Sequence, residues 1–337
     1  AYRMFLDHLG TTLSDEIGVL FNPNDPANRL YPSQRILNDV LERLNVPSLD
    51  DVWSEDEPET IGWIYQYFTP KELRDKARTE STFPQNAYEL AFRNQFYTPE
   101  YVVRFLSDNT LGRIWYEMRH GDTTLKERCE YLIRSDQDVF LAEVDSGTGA
   151  TQEILYREVK DPRNLRILDP ACGSGHFLLY CFDLLEDIYV AAYDDAAMGV
   201  ELRKDFPDRN RFVGEIPVLI LAHNLFGIDI DRRATQIAGL ALWLRCHRSF
   251  RKSKLKKDRP KIRRSNVVCA EPMPGEKEIL QKFTASLQPK VLGQLVERVF
   301  EKMQLAGEAG SLLRIEKELR SAIATAHRQW SERPKEE

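Results

Sequence analysis

The stretch Asn164–Ile188, NLRILDPACGSGHFLLYCFDLLEDI, constrains the fold more than any other part of the chain. Leu165–Leu168 is a short apolar run closed by Asp169. Cys172-Gly173-Ser174-Gly175 follows as a glycine-bearing turn, and Leu178, Cys181, Leu185 and Ile188 then recur at helical spacing. The pattern predicts strand, tight turn and helix, the opening unit of an α/β sheet. Glycines in such a turn tolerate positive φ and leave the backbone bare for a ligand, and the N–H groups at the start of the next helix face that ligand. Neither common phosphate signature is present. A dinucleotide G-x-G-x-x-G would need glycine where Leu178 stands, and no G-x-x-x-x-G-K-[ST] exists in the chain. A plain strand–helix turn with glycines for packing is the bland alternative.

Ten consecutive residues, Asp169-Pro170-Ala171-Cys172-Gly173-Ser174-Gly175-His176-Phe177-Leu178, resemble the first motif of the amino-group DNA methyltransferases. Two further blocks resemble the same family. Asn94-Gln95-Phe96-Tyr97-Thr98-Pro99-Glu100-Tyr101-Val102-Val103 looks like its circularly placed tenth motif. By its residues alone that block is a helix capped by Thr98 with Pro99 at the first position, burying Val102, Val103 and Leu106. Leu225–Asp231, LFGIDID, predicts a second buried strand ending in acids, where a carboxylate can accept bonds from both hydroxyls of a ribose. Asp229 lies much further from the turn than the about twenty residues of a compact nucleotide-binding unit, so an insertion separates the two strands. Asp231 could instead cap the following helix.

The resemblance implies an α/β, Rossmann-like, S-adenosylmethionine-dependent methyltransferase core, incomplete in this chain, preceded by a mainly helical region. It divides the chain into residues 1–93, a core at 94–275 and a helical segment at 276–337. It implies cofactor contacts at Tyr97 and Thr98, at Asp169, Ala171, Cys172, Gly173, Ser174, Gly175 and Phe177 of the turn, at Asp229 and Ile230, and at Glu271, which follows a third strand at Asn266–Ala270. The activity implied is adenine-N6 methylation of double-stranded DNA in a restriction–modification or phage-defence system, with other subunits of that system as possible partners. Trp63, Tyr65, Tyr67 and Phe68, in TIGWIYQYFTP after the N-cap candidate Thr60, resemble a recurring piece of the large defence-system enzymes. They read as core more readily than as a base-stacking surface.

One piece is missing. The exocyclic amine of adenine is a poor nucleophile until side-chain and backbone acceptors take its two hydrogens, and the base must be flipped out of its stack. The family does this with a [D/N/S]-P-P-[Y/F/W] turn, and this sequence contains no Pro-Pro pair and no Pro-Cys pair. No catalytic residue is therefore expected in this chain. A non-catalytic subunit that binds the cofactor or docks a partner, and a methyltransferase of RNA or protein, stand as rival readings. Without a fourth strand, the Leu165–Asp169 edge is expected to lie bare.

Elsewhere the sequence narrows the options. A net charge of −6 argues against binding nucleic acid by bulk charge. The best local candidate for phosphate contact is Arg245–Arg264, with eleven Lys or Arg against the single acid Asp258. It is read as a solvated or flanking loop beyond a helix over Arg232–His247. The five cysteines are scattered with no C-x-x-C pair, so no metal or disulfide framework is expected. The longest apolar run, Ile237–Leu244, is too short to span a bilayer, and a cytoplasmic protein is the simple expectation. Leu37, Val40, Leu41 and Leu44 mark a short amphipathic helix. Val139–Val144 and Ile154–Val159 read as a hairpin or loop excursion, Asp194–Asn210 as a loop, and Ile216–Ala222 as a short helix. Ser311 is expected to cap a stripe of Leu312, Ile315, Leu319, Ile323 and Trp330. Ala1-Tyr2-Arg3-Met4 does not read as a native start, and Lys335-Glu336-Glu337 reads as a cut end.

Overall fold

The computed structural model describes residues 2–14, 30–53, 60–80, 89, 92–93, 98–134, 139–141, 153–155, 157–253, 259–262, 265–270, 277–288, 290–303, 320–321, 323–324 and 327–328. Residues 1–270 form one compact unit and residues 271–337 a second.

The first unit begins with helices α1 (Tyr2–Leu13), α2 (Gln34–Leu44), α3 (Thr60–Phe68) and α4 (Lys71–Glu80). Ser33 caps α2, but the helix buries none of its residues, so Val40, Leu41 and Leu44 stay exposed. Thr60 does not stand outside α3 as a cap. It lies buried within the helix, and its hydroxyl donates to the Val52 carbonyl.

Helix α5 (Glu100–Ser107) runs through a π turn at Asp108–Gly112 into α6 (Arg113–Met118). Here the expected cap is corrected. Pro99 is the N-cap residue, its carbonyl accepts from the Val102 and Val103 N–H groups, and no side chain caps the helix. The extended ψ of 143° at Pro99 holds Thr98 one residue too early to cap. The buried face is also rotated: Val103, Ser107 and Leu111 are buried while Leu106 is exposed. Val103 and Ser107 lie one turn apart on one face, from which Leu106 stands off, and the π turn continues that face to Leu111. Its Asp108 is fully buried and accepts from the Tyr180 hydroxyl at 2.8 Å and the Tyr131 N–H at 3.0 Å.

After α7 (Leu125–Arg128), strands β1 (Val139–Leu141) and β2 (Glu153–Leu155) pair in parallel, Phe140 opposite Ile154. They are therefore not a hairpin. The stretch 142–152 between them approaches the dozen residues that a parallel return needs.

The sheet that matters is β3 (Ile167–Asp169), with α8 (His176–Asp194), α9 (Val200–Asp205) and α10 (Arg209–Leu219) leading to β4 (Leu225–Asp229). Helix α11 (Arg232–Lys252) then leads to β5 (Asn266–Cys269). The three strands are parallel in the order β3-β4-β5, with Asp169 opposite Gly227 and Asp229 opposite Cys269. Leu178, Cys181, Leu185 and Ile188 of α8 are all buried, as their spacing predicts. Gly227 lets α8 close on the sheet: a Cβ there would lie 2.9 Å from Leu178 Cδ1 and 3.1 Å from Cys172 Sγ. Leu225 and Val267 are buried, whereas Leu168 and Val268 are 58% and 53% exposed. Among the described residues β3 pairs only with β4, so its other edge is bare.

Residues 194–210 are not a loop. Asp195 accepts from the Ala197 and Met198 N–H groups, α9 buries Leu202, and the Tyr193 ring stacks on Phe212 at 4.3 Å. The apolar piece at 216–222 belongs to α10 and to a π turn, Ile220–Asn224. Helix α11 also outlasts its predicted end. Cys246, Ser249 and Phe250 continue its buried stripe, so the basic run begins on a packed helix, and Arg245 is ion-paired with Asp183. Leu244, the last residue of the apolar run, is exposed. Among the described residues no helix is long and apolar enough to cross a membrane.

In the second unit, α12 (Lys277–Ser286) and α13 (Lys290–Met303) pack together. Gly293 permits the close approach, since a Cβ would lie 2.5 Å from the Thr284 carbonyl oxygen. The helical stripe expected from Ser311 lies outside the described residues, apart from Ile323, which is exposed.

Candidate functional site

Strands β3 and β4 finish side by side and deliver Asp169 and Asp229 to one end of the sheet. The turn after β3 is tied back to β4, because Cys172 N–H donates to the Ile228 carbonyl at 2.9 Å and Gly175 N–H to the Cys172 carbonyl at 2.8 Å. Gly173 and Gly175 have φ of 52° and 93°, a conformation that side chains resist. The two glycines differ in their surroundings. A Cβ on Gly175 would press on Ala238 at 3.2 Å, so Gly175 serves packing against α11. A Cβ on Gly173 would meet nothing within 4 Å. Gly173 is the bare, open point of the turn.

Asp229 holds that point in place. Its Oδ2 accepts from Gly173 N–H at 2.9 Å and its Oδ1 from Asp231 N–H at 2.8 Å. Each carboxylate oxygen keeps a second lone pair for a ligand hydroxyl. Asp231 caps α11 through Arg233 N–H at 2.8 Å, pairs with the Arg233 guanidinium at 3.0 Å and accepts from the Tyr65 hydroxyl at 2.6 Å. Burial works to raise the Asp231 carboxyl, but the bonds from Arg233 and Tyr65 outweigh it and hold the group below the usual carboxylate range. Burial, with the bond to Asp231, pushes the Tyr65 phenol up, so it stays a proton donor.

Asp169 is the exception. Its Oδ1 accepts from Ala171 N–H at 3.1 Å, while its Oδ2 is buried with no hydrogen-bond partner. Burial pushes this carboxyl above its ordinary range, the Ala171 bond opposes the shift, and the charge of Asp229 adds to it. A buried carboxylate oxygen without a donor is costly to leave unmet, and a cationic N–H donor would meet it. Burial, with the charges of Asp229 and Asp169, pushes the Cys172 thiol up to about 12, so it is neutral and no nucleophile.

The structure thus brings together Asp169, Ala171, Cys172, Gly173, Ser174, Gly175 and Asp229, with Phe177 half-buried and Ile230 exposed at the rim. Thr98 is described but caps no helix. Tyr97 and Glu271 lie outside the described residues. Among the described residues no cluster of His, Cys, Asp or Glu could hold a metal ion.

Residues 148–273 match the family described as MmeI, DNA-methyltransferase domain. Over these residues the chain is similar to a methyltransferase domain. The glycine turn and both strand-end acids fall within the matched residues. The adenine-specific methyltransferase BrxX of Escherichia coli O9:H4 (strain HS) is 30% identical over 221 residues, 65% of this chain and 16% of that protein. The adenine-specific methyltransferase PglX of Lacticaseibacillus casei (strain Zhang) is 27% identical over 256 residues, 75% of this chain and 20% of that protein. The chain therefore spans a fifth or less of the length of these relatives.

Two features of the site escaped the sequence reading. The bond from Gly173 to Asp229 joins residues far apart in sequence and has no local signature. Tyr65 was grouped with an aromatic cluster read mainly as core, and its contact with Asp231 follows only from the packing of α3 on α11. A glycine inside the otherwise bulky TIGWIYQYF was the available signal that another part of the chain comes close there, and the side chains of Ser174 and His176 do.

Proposed function

We propose that this chain is the S-adenosylmethionine-binding part of an adenine-N6 DNA methyltransferase, with a Rossmann-like core. One observation favours this most: a buried, unpartnered carboxylate oxygen on Asp169 stands beside a turn whose open glycine is fixed by a second carboxylate, Asp229. These residues fit the cofactor's donor groups. Asp169 Oδ2 would accept from its ammonium, the free lone pairs of Asp229 would accept from its ribose hydroxyls, and the space over Gly173 would admit its chain. Ile230, 41% exposed beside Asp229, would lie against the adenine ring. When bound, the cofactor would supply an electrophilic methyl group on a sulfonium.

The chain's own part is binding and orientation. Asp229 keeps Gly173 N–H turned inward, and Asp169 is held charged by the ligand it receives. The acceptors that free the lone pair of the target amine are not in this sequence, which has no Pro-Pro pair. The activity therefore belongs to a longer protein, acting on double-stranded DNA in a restriction–modification or phage-defence system in the cytoplasm, with other subunits of that system as partners. The test is transfer of labelled methyl from S-adenosylmethionine to duplex DNA, RNA and protein. The longer protein should label the N6 position of adenine in DNA and the 337-residue chain should label nothing. Turnover by the chain alone, or labelling of RNA or protein instead, would contradict the reading.

A further inference from the structure

We infer that helix α3 is a strap that sets the shape of the cofactor turn, with Tyr65 as a positioning residue acting on Gly173 through Asp231 and Asp229. This rests on the cofactor reading above and extends it to a part of the chain outside the matched domain.

Two contacts carry the inference. First, α3 lies against the turn itself. A Cβ added to Gly62 would lie 2.8 Å from both Ser174 Oγ and His176 Nε2, so these two side chains of the turn reach the bare Cα of α3. Ser174 and His176 flank the left-handed Gly175 and are both buried. Second, one helical turn later, the buried Tyr65 donates to Asp231 Oδ2 at 2.6 Å, with the Arg233 guanidinium 6.0 Å from the centre of its ring. Asp231 N–H then donates to Asp229 Oδ1, and Asp229 Oδ2 accepts from Gly173 N–H.

Strap and turn are thus joined by an unbroken series of hydrogen bonds and one direct contact. A buried tyrosine needs some acceptor, and a helix that served only as core could have used any carbonyl nearby. This one uses the carboxylate whose backbone fixes the rotamer of Asp229. Its bond is charge-assisted, the kind that holds geometry best. If α3 shifts, Asp231 keeps only its bonds from Arg233, the backbone that orients Asp229 is held less firmly, and the acceptor of the Gly173 N–H is less well fixed.

The experiment uses the 337-residue chain with Tyr65→Phe, Asp231→Asn, the double variant and Gly62→Ala. S-adenosylmethionine affinity is read by calorimetry, and Gly173 amide exchange is read in the ligand-free protein. Loss of a charge-assisted hydrogen bond is expected to weaken affinity on the order of 10-fold in Tyr65→Phe. The double variant should be no weaker than Asp231→Asn alone, because the two residues act in series. Gly62→Ala should weaken binding at least as much. Gly173 exchange should quicken in Tyr65→Phe while amides around Asn224 keep their protection. The inference is overturned if Tyr65→Phe and Gly62→Ala both bind within twofold of the parent, if the two losses add, or if Gly173 exchange is unmoved. A globally unfolded Tyr65→Phe would show plain core and also overturn it. A parent chain that binds no S-adenosylmethionine but keeps the Gly173 exchange effect would instead remove the cofactor reading and leave the strap as a purely structural coupling.

Discussion

The two ends of the β3-β4-β5 sheet treat their buried polar groups in opposite ways. Where the strands begin, the Asn224 side chain is fully used. Asn224 is fully buried, accepts from the Tyr189 hydroxyl at 2.9 Å, and donates to the Pro162 and Leu165 carbonyls at 2.7 Å each. Nearby charges are paired as well: Arg163 with Asp161 and Asp205, Arg209 with Asp194, Arg119 with Asp195. Where the strands finish, Asp169 keeps a buried oxygen with no partner and Gly173 stands open. A fold that can satisfy three polar partners with one asparagine has no need to strand a carboxylate. Polar groups at the first end stabilise the chain, and in the proposed function those at the second receive a ligand.

That contrast can be broken from either side. The largest effect expected is at the satisfied end. Asn224→Leu strips the Leu165 carbonyl and the Tyr189 hydroxyl of their partner and leaves the Pro162 carbonyl only its bond from Leu165 N–H, and should destabilise by about 3 kcal/mol in urea unfolding, with cofactor affinity of the folded fraction unchanged. At the open end, Gly173→Val should do the reverse. It fills the ligand's space and should weaken S-adenosylmethionine binding about 100-fold by calorimetry, while backbone strain at positive φ costs only about 1–2 kcal/mol of stability. A loss of affinity in the asparagine variant, or of stability alone in the glycine variant, would dissolve the distinction.

The acids should part company with pH. Asp169 sits above its ordinary value through burial. Its contribution to the ligand-free chain is therefore full below its unfolded pKa of about 3.9 and is lost as pH rises through the higher folded value. Asp195 is held below its ordinary value, first by the Met198 N–H and further by Arg119. Its contribution is present above about 3.9 and is lost as pH falls through the lower folded value. Carbon-detected titration should place the two midpoints on opposite sides of 3.9, with Asp169 moving down when the cofactor is added. The smallest effect belongs to Arg209→Gln. Its ion pair with Asp194 is about half exposed, and loss of it should change stability by less than about 0.5 kcal/mol in the same unfolding assay.

What could be read from the sequence follows the same division between local and distant causes. The β3 strand, the glycine turn and the α8 stripe were legible because each is fixed by neighbours within a few residues: Gly173 and Gly175 by their φ, Leu178 to Ile188 by helical spacing. Asp229 was legible as a strand-end acid, but its grip on Gly173 was not, since no local pattern links the two. Helix α9 was hidden in a polar stretch because it has no side-chain cap of its own, Asp195 closing only the turn before it, and its anchor is a single buried leucine, Leu202. The extension of α11 was visible in the spacing of Cys246, Ser249 and Phe250 but was masked by the basic residues between them. The parallel pairing of β1 with β2 depends on how the chain returns, which strand composition does not record.

The most direct test follows backbone amides of the labelled chain as S-adenosylmethionine is added. Saturable shifts should centre on Ala171, Gly173 and Gly175 and vanish in Asp229→Ala, while signals from Asn224 and the start of the sheet stay still. Shifts that gather instead around Asn224, or a glycine turn that does not respond at any cofactor concentration, would contradict the account.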